Sequence, residues 1–160
     1  MAPFEILLIE DDPDDRFIFE RAVKASGIPA TVTWAGSASE AVARLNRVGV
    51  HSASSLPRLV VMDLGLPGIT GKTLLQVIRN AYGREEVCII VLTGSLMVDD
   101  RIDCELLGIS AYLVKPDKLD AMTALVGSFP AILDHPPTDR ISRLLPALPP
   151  STPPATHDAT

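Results

Sequence analysis

Compact apolar runs alternate with longer amphipathic stretches from residue 4 to residue 129, and that alternation leaves few folds open. Residues 4–9, 59–62, 87–92 and 111–114 are short, rich in Ile, Val and Leu, and bounded by turn or charged residues. A strand buried on both faces needs a run of this kind. Residues 31–35, Thr-Val-Thr-Trp-Ala, alternate in polarity and read as a weaker fifth strand at a sheet edge. Between the runs, helices are expected near 13–25, 39–47, 70–81, 98–107 and 118–129. Five strands and five helices in strict alternation predict an α/β domain, a parallel sheet covered on both faces. The first helix is marked by Asp12 as its cap, Pro13 in its first turn, and Asp14 and Asp15 against the positive end of its dipole. Residues 48–57 are small and polar and read as a surface loop, with His51 solvated.

The 160 residues, 47% apolar, suffice for one domain with a real core. A net charge of −6 argues against a broad surface for nucleic acid or anionic lipid. Cys88 and Cys104 sit among apolar residues with no ligand-spaced partner, as buried thiols in a reducing compartment do. No run approaches a membrane span and the first strand begins at once, without a leader, so a cytoplasmic location is expected. After residue 133 seven of the fourteen prolines fall in the last 27 residues, which predicts a largely disordered tail over 134–160 beside a folded domain over 1–133. Ile141, Leu144 and Leu145 form one apolar patch in it. No output domain is visible after that tail, so DNA binding within this chain is not expected.

The residues with chemistry fall where an open parallel sheet gathers it, at the carboxyl ends of the strands. The first strand ends in Glu10-Asp11-Asp12, the third in Asp63, the fourth in Thr93 and the fifth in Lys115-Pro116. Acids gathered at one rim repel unless a cation neutralises them, and hard oxygen ligands with room for water suit Mg2+. A carboxylate such as Asp63 can attack phosphorus, with the Thr93 hydroxyl and the Lys115 ammonium neutralising the transferring oxygens. Asp12, Asp14 and Asp15 are accounted for as helix-start residues. Tyr112 reads either as core or as functional, and Trp34 as an edge aromatic with no role assigned.

The segments Ile6-Leu-Leu-Ile-Glu-Asp-Asp-Pro-Asp-Asp15, Val61-Met-Asp-Leu-Gly-Leu-Pro-Gly-Ile-Thr-Gly71, Val91-Leu-Thr-Gly94 and Tyr112-Leu-Val-Lys-Pro116 resemble the signatures of response-regulator receiver domains. The likeness runs over roughly residues 4 to 130, and the 30 positions from Asp63 to Thr93 and 22 from Thr93 to Lys115 are similar to the chemotaxis-type spacing. It implies the flavodoxin-like doubly wound sheet, order 2-1-3-4-5. It also implies Asp63 as phosphoacceptor, Glu10 and Asp11 as the acidic pair, and a Mg2+ site completed by Asp63 and the Gly65 carbonyl. Pro67 and Gly71 would shape the loop after Asp63, the Lys115–Pro116 peptide would be cis, and Thr93 and Tyr112 would form a switch pair. The implied partners are a sensor histidine kinase or phosphotransfer protein, and a second copy through the fourth helix, fifth strand and fifth helix. The long 48–57 loop and the Asp-Asp-Pro-Asp-Asp opening are similar to receivers that serve phytochrome-like kinases. The function implied is that of a single-domain signalling protein rather than an enzyme. A pseudo-receiver is disfavoured by the intact Asp63, Thr93 and Lys115, and a flavin or nucleotide binder by acids where a phosphate loop would stand. Gly65, and Ser95 two residues after Thr93, occupy positions whose side chains in the family often position or block the hydrolytic water.

Overall fold

The computed structural model describes residues 1–134. Its elements are β1 (Phe4–Ile9), α1 (Pro13–Ser26), β2 (Ala30–Ala35), α2 (Ala38–Leu45), a 3-10 turn (Gly49–His51), β3 (Leu59–Met62), α3 (Gly71–Ala81), β4 (Cys88–Thr93), α4 (Val98–Leu106), β5 (Ala111–Val114), α5 (Leu119–Gly127) and α6 (Phe129–Asp134). The five strands pair in parallel in the order β2-β1-β3-β4-β5. That is the doubly wound, flavodoxin-like order, and it places the reversal of strand order between β1 and β3.

The continuous apolar runs follow from burial on two sides. Side chains alternate across a strand, so Leu7, Ile9, Val60, Met62, Ile89 and Val91 enter one core with α2, α3 and α4. Ile6, Leu8, Leu59, Val61, Ile90 and Leu92 enter the other, against α1 and α5. Either face polar would leave one layer of helices nothing to pack on. The Asp12 carboxylate accepts from the Asp14 amide and Pro13 opens α1, while Gly27 closes it in the left-handed conformation.

The helix expected over 118–129 is divided. α5 stops at Gly127, and a sixth helix, short and absent from the sequence reading, begins at Phe129. Pro130, which reads as a break, occupies the first turn of α6, where a missing N–H costs nothing. Buried Phe129 and Leu133 seat α6 on the α1 side of the sheet, with the Phe129 and Phe19 rings 6.2 Å apart. Cys104 is buried as expected, whereas Cys88, at the start of β4, is partly exposed. The tail beyond residue 134, with Ile141, Leu144 and Leu145, lies outside the described residues. Among the described residues no helix is long and apolar enough to cross a membrane.

Candidate functional site

Strand ends bring the site together. The Asp63 amide donates to the Ile9 carbonyl, 3.3 Å, and the Lys115 amide to the Thr93 carbonyl, 2.8 Å, so the sheet ladder itself sets the spacing of Glu10, Asp63, Thr93 and Lys115. Lys115 Nζ lies at the centre. It donates to Glu10 Oε2 at 2.9 Å, to Asp15 Oδ2 at 2.8 Å and to Asp63 Oδ2 at 2.8 Å. Asp63 Oδ1 accepts from the Gly65 amide, 3.1 Å, and Glu10 Oε1 from the Asp12 amide, 3.1 Å. Glu10 and Thr93 are the two buried polar residues among those described.

Burial and charge pull the titrations apart. Burial pushes the Glu10 carboxyl above its usual range, and the Lys115 and Asp12 donors recover only part of that shift. Burial acts on Asp63 in the same direction, but the Lys115 ammonium, the Gly65 amide and the Thr93 hydroxyl together hold it below the ordinary carboxylate range. Lys115 would lose its proton more readily if burial alone acted; the carboxylates of Asp15, Asp63 and Glu10 outweigh it and raise its pKa. Asp63 is therefore ionised at neutral pH and faces a permanent cation.

Comparison with known proteins gives the family. The model of the response regulator receiver domain matches residues 6–127. The chain belongs to this family. Response regulator Rcp1 of Synechocystis sp. is 30% identical over 124 residues, 78% of this chain and 84% of the relative. The crystal structure of the phosphorylated cyanobacterial phytochrome response regulator RcpA superposes with a TM-score of 0.75 at 26% identity, over 86% of this chain and 98% of that one. The Mn2+-bound form of Rcp1 gives 0.71 at 29% identity, over 81% and 93%. Receiver domains act in two-component signalling, and taking up a phosphoryl group is the family's function.

In this receiver the loop after Asp63 is shaped by a close backbone approach. A Cβ on Gly71 would stand 2.5 Å from Leu64 Cα and 2.9 Å from the Leu64 carbonyl oxygen, so only glycine lets α3 start there. Gly71 donates to that same carbonyl at 3.2 Å. Pro67 lies in the turn between, and Gly68 takes φ +84°. Tyr112 is partly buried against the α3–α4 core, and its hydroxyl donates to the Ser95 carbonyl at 3.1 Å. The Ser95 amide donates to Thr93 Oγ1, 3.3 Å, so Thr93 and Tyr112 are bridged through one residue. The Lys115–Pro116 peptide differs from expectation: no peptide bond among the described residues is cis. Trans is the lower-energy isomer before proline, and the Lys115 contacts form without the cis bond.

Two residues gain roles that sequence reasoning missed. Asp15, read only as a helix-start acid, reaches Lys115, 100 positions away. Trp34 Nε1 donates to the Glu10 backbone carbonyl at 2.6 Å, and the Arg16 guanidinium stacks 4.2 Å from its ring. Neither contact has a local sequence signal. Asp11, by contrast, is exposed at the rim and is not among the partners of Lys115.

The donor set fits a small divalent cation. Three carboxylates meet one ammonium, Asp11 and Asp12 stand beside them, and all the ligating atoms are hard oxygens. Among the described residues no three carboxylate, imidazole or thiol groups already stand in a chelating group; Lys115 lies between Glu10 and Asp63. The ligands that the receiver resemblance implies are Glu10, Asp11, Asp63 and the Gly65 carbonyl, and Lys115 would have to give way for an ion to reach them.

Proposed function

We propose that this receiver accepts a phosphoryl group on Asp63, in a Mg2+-dependent reaction, from the phosphohistidine of a sensor kinase or a phosphotransfer protein, and signals by changing a protein-binding face. The observation that carries this reading is the 2.8 Å contact of Lys115 Nζ with Asp63 Oδ2 at the sheet rim, next to buried Thr93. Little covalent chemistry is asked of the protein; positioning and charge neutralisation do most of the work. Asp63 is ionised without a general base, because Lys115, Gly65 and Thr93 offset the cost of its burial. Thr93 Oγ1 already accepts from the Ser95 amide, which leaves its own proton to point toward Asp63 and a phosphoryl oxygen. Mg2+, held by Glu10, Asp11, Asp63 and the Gly65 carbonyl, would supply the charge that one ammonium cannot.

Tyr112 and Ser95 carry the site outward. A Thr93 hydroxyl that moves toward a phosphoryl oxygen stretches the bond it accepts from the Ser95 amide, and Ser95 is the residue Tyr112 donates to. Beyond Ser95 lie Leu96, Met97, Val98, Ile102 and Leu106, all exposed, with Val114 of β5. This face of α4 and β5 suits a protein partner or a second copy better than water, whereas the net charge of −6 disfavours nucleic acid and anionic membrane. Likeness to the cyanobacterial phytochrome response regulator RcpA favours a bacteriophytochrome as the donor kinase. The reading also includes a receiver over residues 1–133, a cytoplasmic location, and no turnover beyond the protein's own phosphorylation and dephosphorylation.

Incubation with acetyl phosphate and Mg2+ followed by intact mass tests the site: the wild type gains one phosphoryl group and Asp63→Asn gains none. Uptake that persists in Asp63→Asn would refute the assignment. Repeating the reaction with purified phytochrome-type kinases tests the donor.

A further inference from the structure

An ammonium group has three N–H donors and no acceptor. In this protein all three are taken, by Glu10, Asp15 and Asp63, so Lys115 has none left for a phosphoryl oxygen. One bond must open before Lys115 can neutralise charge on the transferring group. The costs of opening them are unequal. The Glu10 side chain is 6% exposed, so water cannot take the place of Lys115 on its Oε2. Asp63 needs its contact while it is the ionised nucleophile. The Asp15 side chain is 36% exposed, on the first turn of α1, and water and the helix N-terminus can take over its charge.

We infer that Asp15 is a latch on Lys115, holding the third ammonium proton at rest and releasing it to a phosphoryl oxygen during transfer to Asp63. The inference rests on the reading of Asp63 as phosphoacceptor. An Asp63 oxygen forms a bond to phosphorus as the bond from phosphorus to the donor's leaving atom breaks, and that atom keeps the electron pair. Lys115 exchanges one acceptor for another and stays protonated throughout. Asp15 touches neither reactant; it is a positioning residue, and it slows the resting protein by keeping its cation engaged.

The test uses the full chain with acetyl phosphate at saturating Mg2+, at low salt and at about 1 M salt, where the Debye length falls to about 3 Å. Asp15→Ala and Asp15→Ser, both compatible with a helix start and too short to reach Lys115, should be phosphorylated faster than wild type by about threefold to fivefold, the range of a part-exposed charge pair. The gain should persist at high salt, because a contact is broken rather than a distant field removed. A gain seen only at low salt would make Asp15 a repelling charge and overturn the latch, as would equal or slower rates. Independently of activity, in protein carrying 15N-lysine the Lys115 ammonium protons should exchange with water faster in Asp15→Ala; unchanged exchange overturns the proposal. If the wild type takes up no phosphoryl group, the Asp63 reading falls and the latch with it; if it does and the Asp15 variants match it, only the latch falls.

Discussion

Trp34 Nε1 donates to the Glu10 backbone carbonyl at 2.6 Å, and this bond ties the edge strand β2 to the acidic end of β1. The Glu10 amide in turn donates to the Ala35 carbonyl at 3.1 Å, so β2 and its Trp34 hold the peptides on both sides of the Glu10 Cα, the second of which leads into Asp11. Since Asp11 follows directly, the plane of that peptide sets where the acidic pair can point. Trp34→Phe keeps a ring for Arg16 to cover but removes the donor. It should lower stability by about 1 kcal/mol, the worth of one hydrogen bond. Fixing a ligand from behind matters more to affinity than to folding, and Mn2+ binding should weaken by about tenfold. Calorimetric Mn2+ titration of both proteins checks this; equal affinities would leave Trp34 a packing residue.

Gly71 and Gly27 separate two reasons for glycine. Gly27 takes φ +71° in open space, whereas Gly71 faces Leu64 Cα at 2.5 Å from where a Cβ would stand. Gly27→Ala should cost about 1 kcal/mol through backbone strain alone and leave phosphoryl uptake on Asp63 unchanged. Gly71→Ala should cost about 1–3 kcal/mol through overpacking and also slow uptake, because the atoms that must yield are the backbone next to Asp63. Urea denaturation and phosphorylation by acetyl phosphate, measured on both variants, distinguish the cases. Normal uptake by Gly71→Ala would show that α3 shifts instead of the Asp63 loop.

What was legible in the sequence and what was not divide along the range of the interaction. The strand runs were legible because β1, β3 and β4 bury both faces, which forces continuous apolar residues. The start of α1 was legible because Asp12 and Pro13 act on their own backbone. Glu10, Asp63, Thr93 and Lys115 were legible as a set because each ends a strand, and the parallel order places those ends together. The links from Asp15 to Lys115 and from Trp34 to Glu10 join distant positions through side-chain reach, and no periodicity encodes that. α6 was missed for the opposite reason: Pro130 read as a stop, and only the buried seat of Phe129 and Leu133 shows that it serves as a start.

Position 65 should control how long a phosphoryl group lasts. A Cβ there would lie 3.8 Å from Asp63 Oδ1, an ordinary contact, so a side chain fits without strain. Ser95, the other position near the site, has its hydroxyl engaged by Asp100 Oδ2 at 2.6 Å and by the Met97 amide at 3.3 Å. Neither residue as it stands has a free polar side chain with which to orient water on the phosphoryl group. Gly65→Asn supplies one, and the phosphorylated protein should lose its group faster once donor is removed. Intact mass followed over time reads the lifetime directly, and an unaltered decay would remove position 65 from the hydrolytic step.

Cys104 gives the fold an alkaline limit. Burial pushes its thiol up from 9.0 to about 11, with the carboxylates of Asp100, Asp103 and Glu105 adding to the rise and Lys72 opposing it. A group whose pKa rises on folding contributes stability that is complete below the unfolded value and is lost as pH climbs through the folded one. The window therefore runs from pH 9.0 to about 11, and two pH units correspond to a loss of about 2–3 kcal/mol. Wild type should lose stability across that window relative to Cys104→Ala, which carries no thiol at this position, while below pH 9.0 the difference between the two should stay constant. Denaturant midpoints measured at half-unit intervals decide it. Parallel curves up to about pH 11 would mean that the thiolate costs nothing in the folded state, and that water reaches α4 from a side on which Cys104 now has no exposed surface.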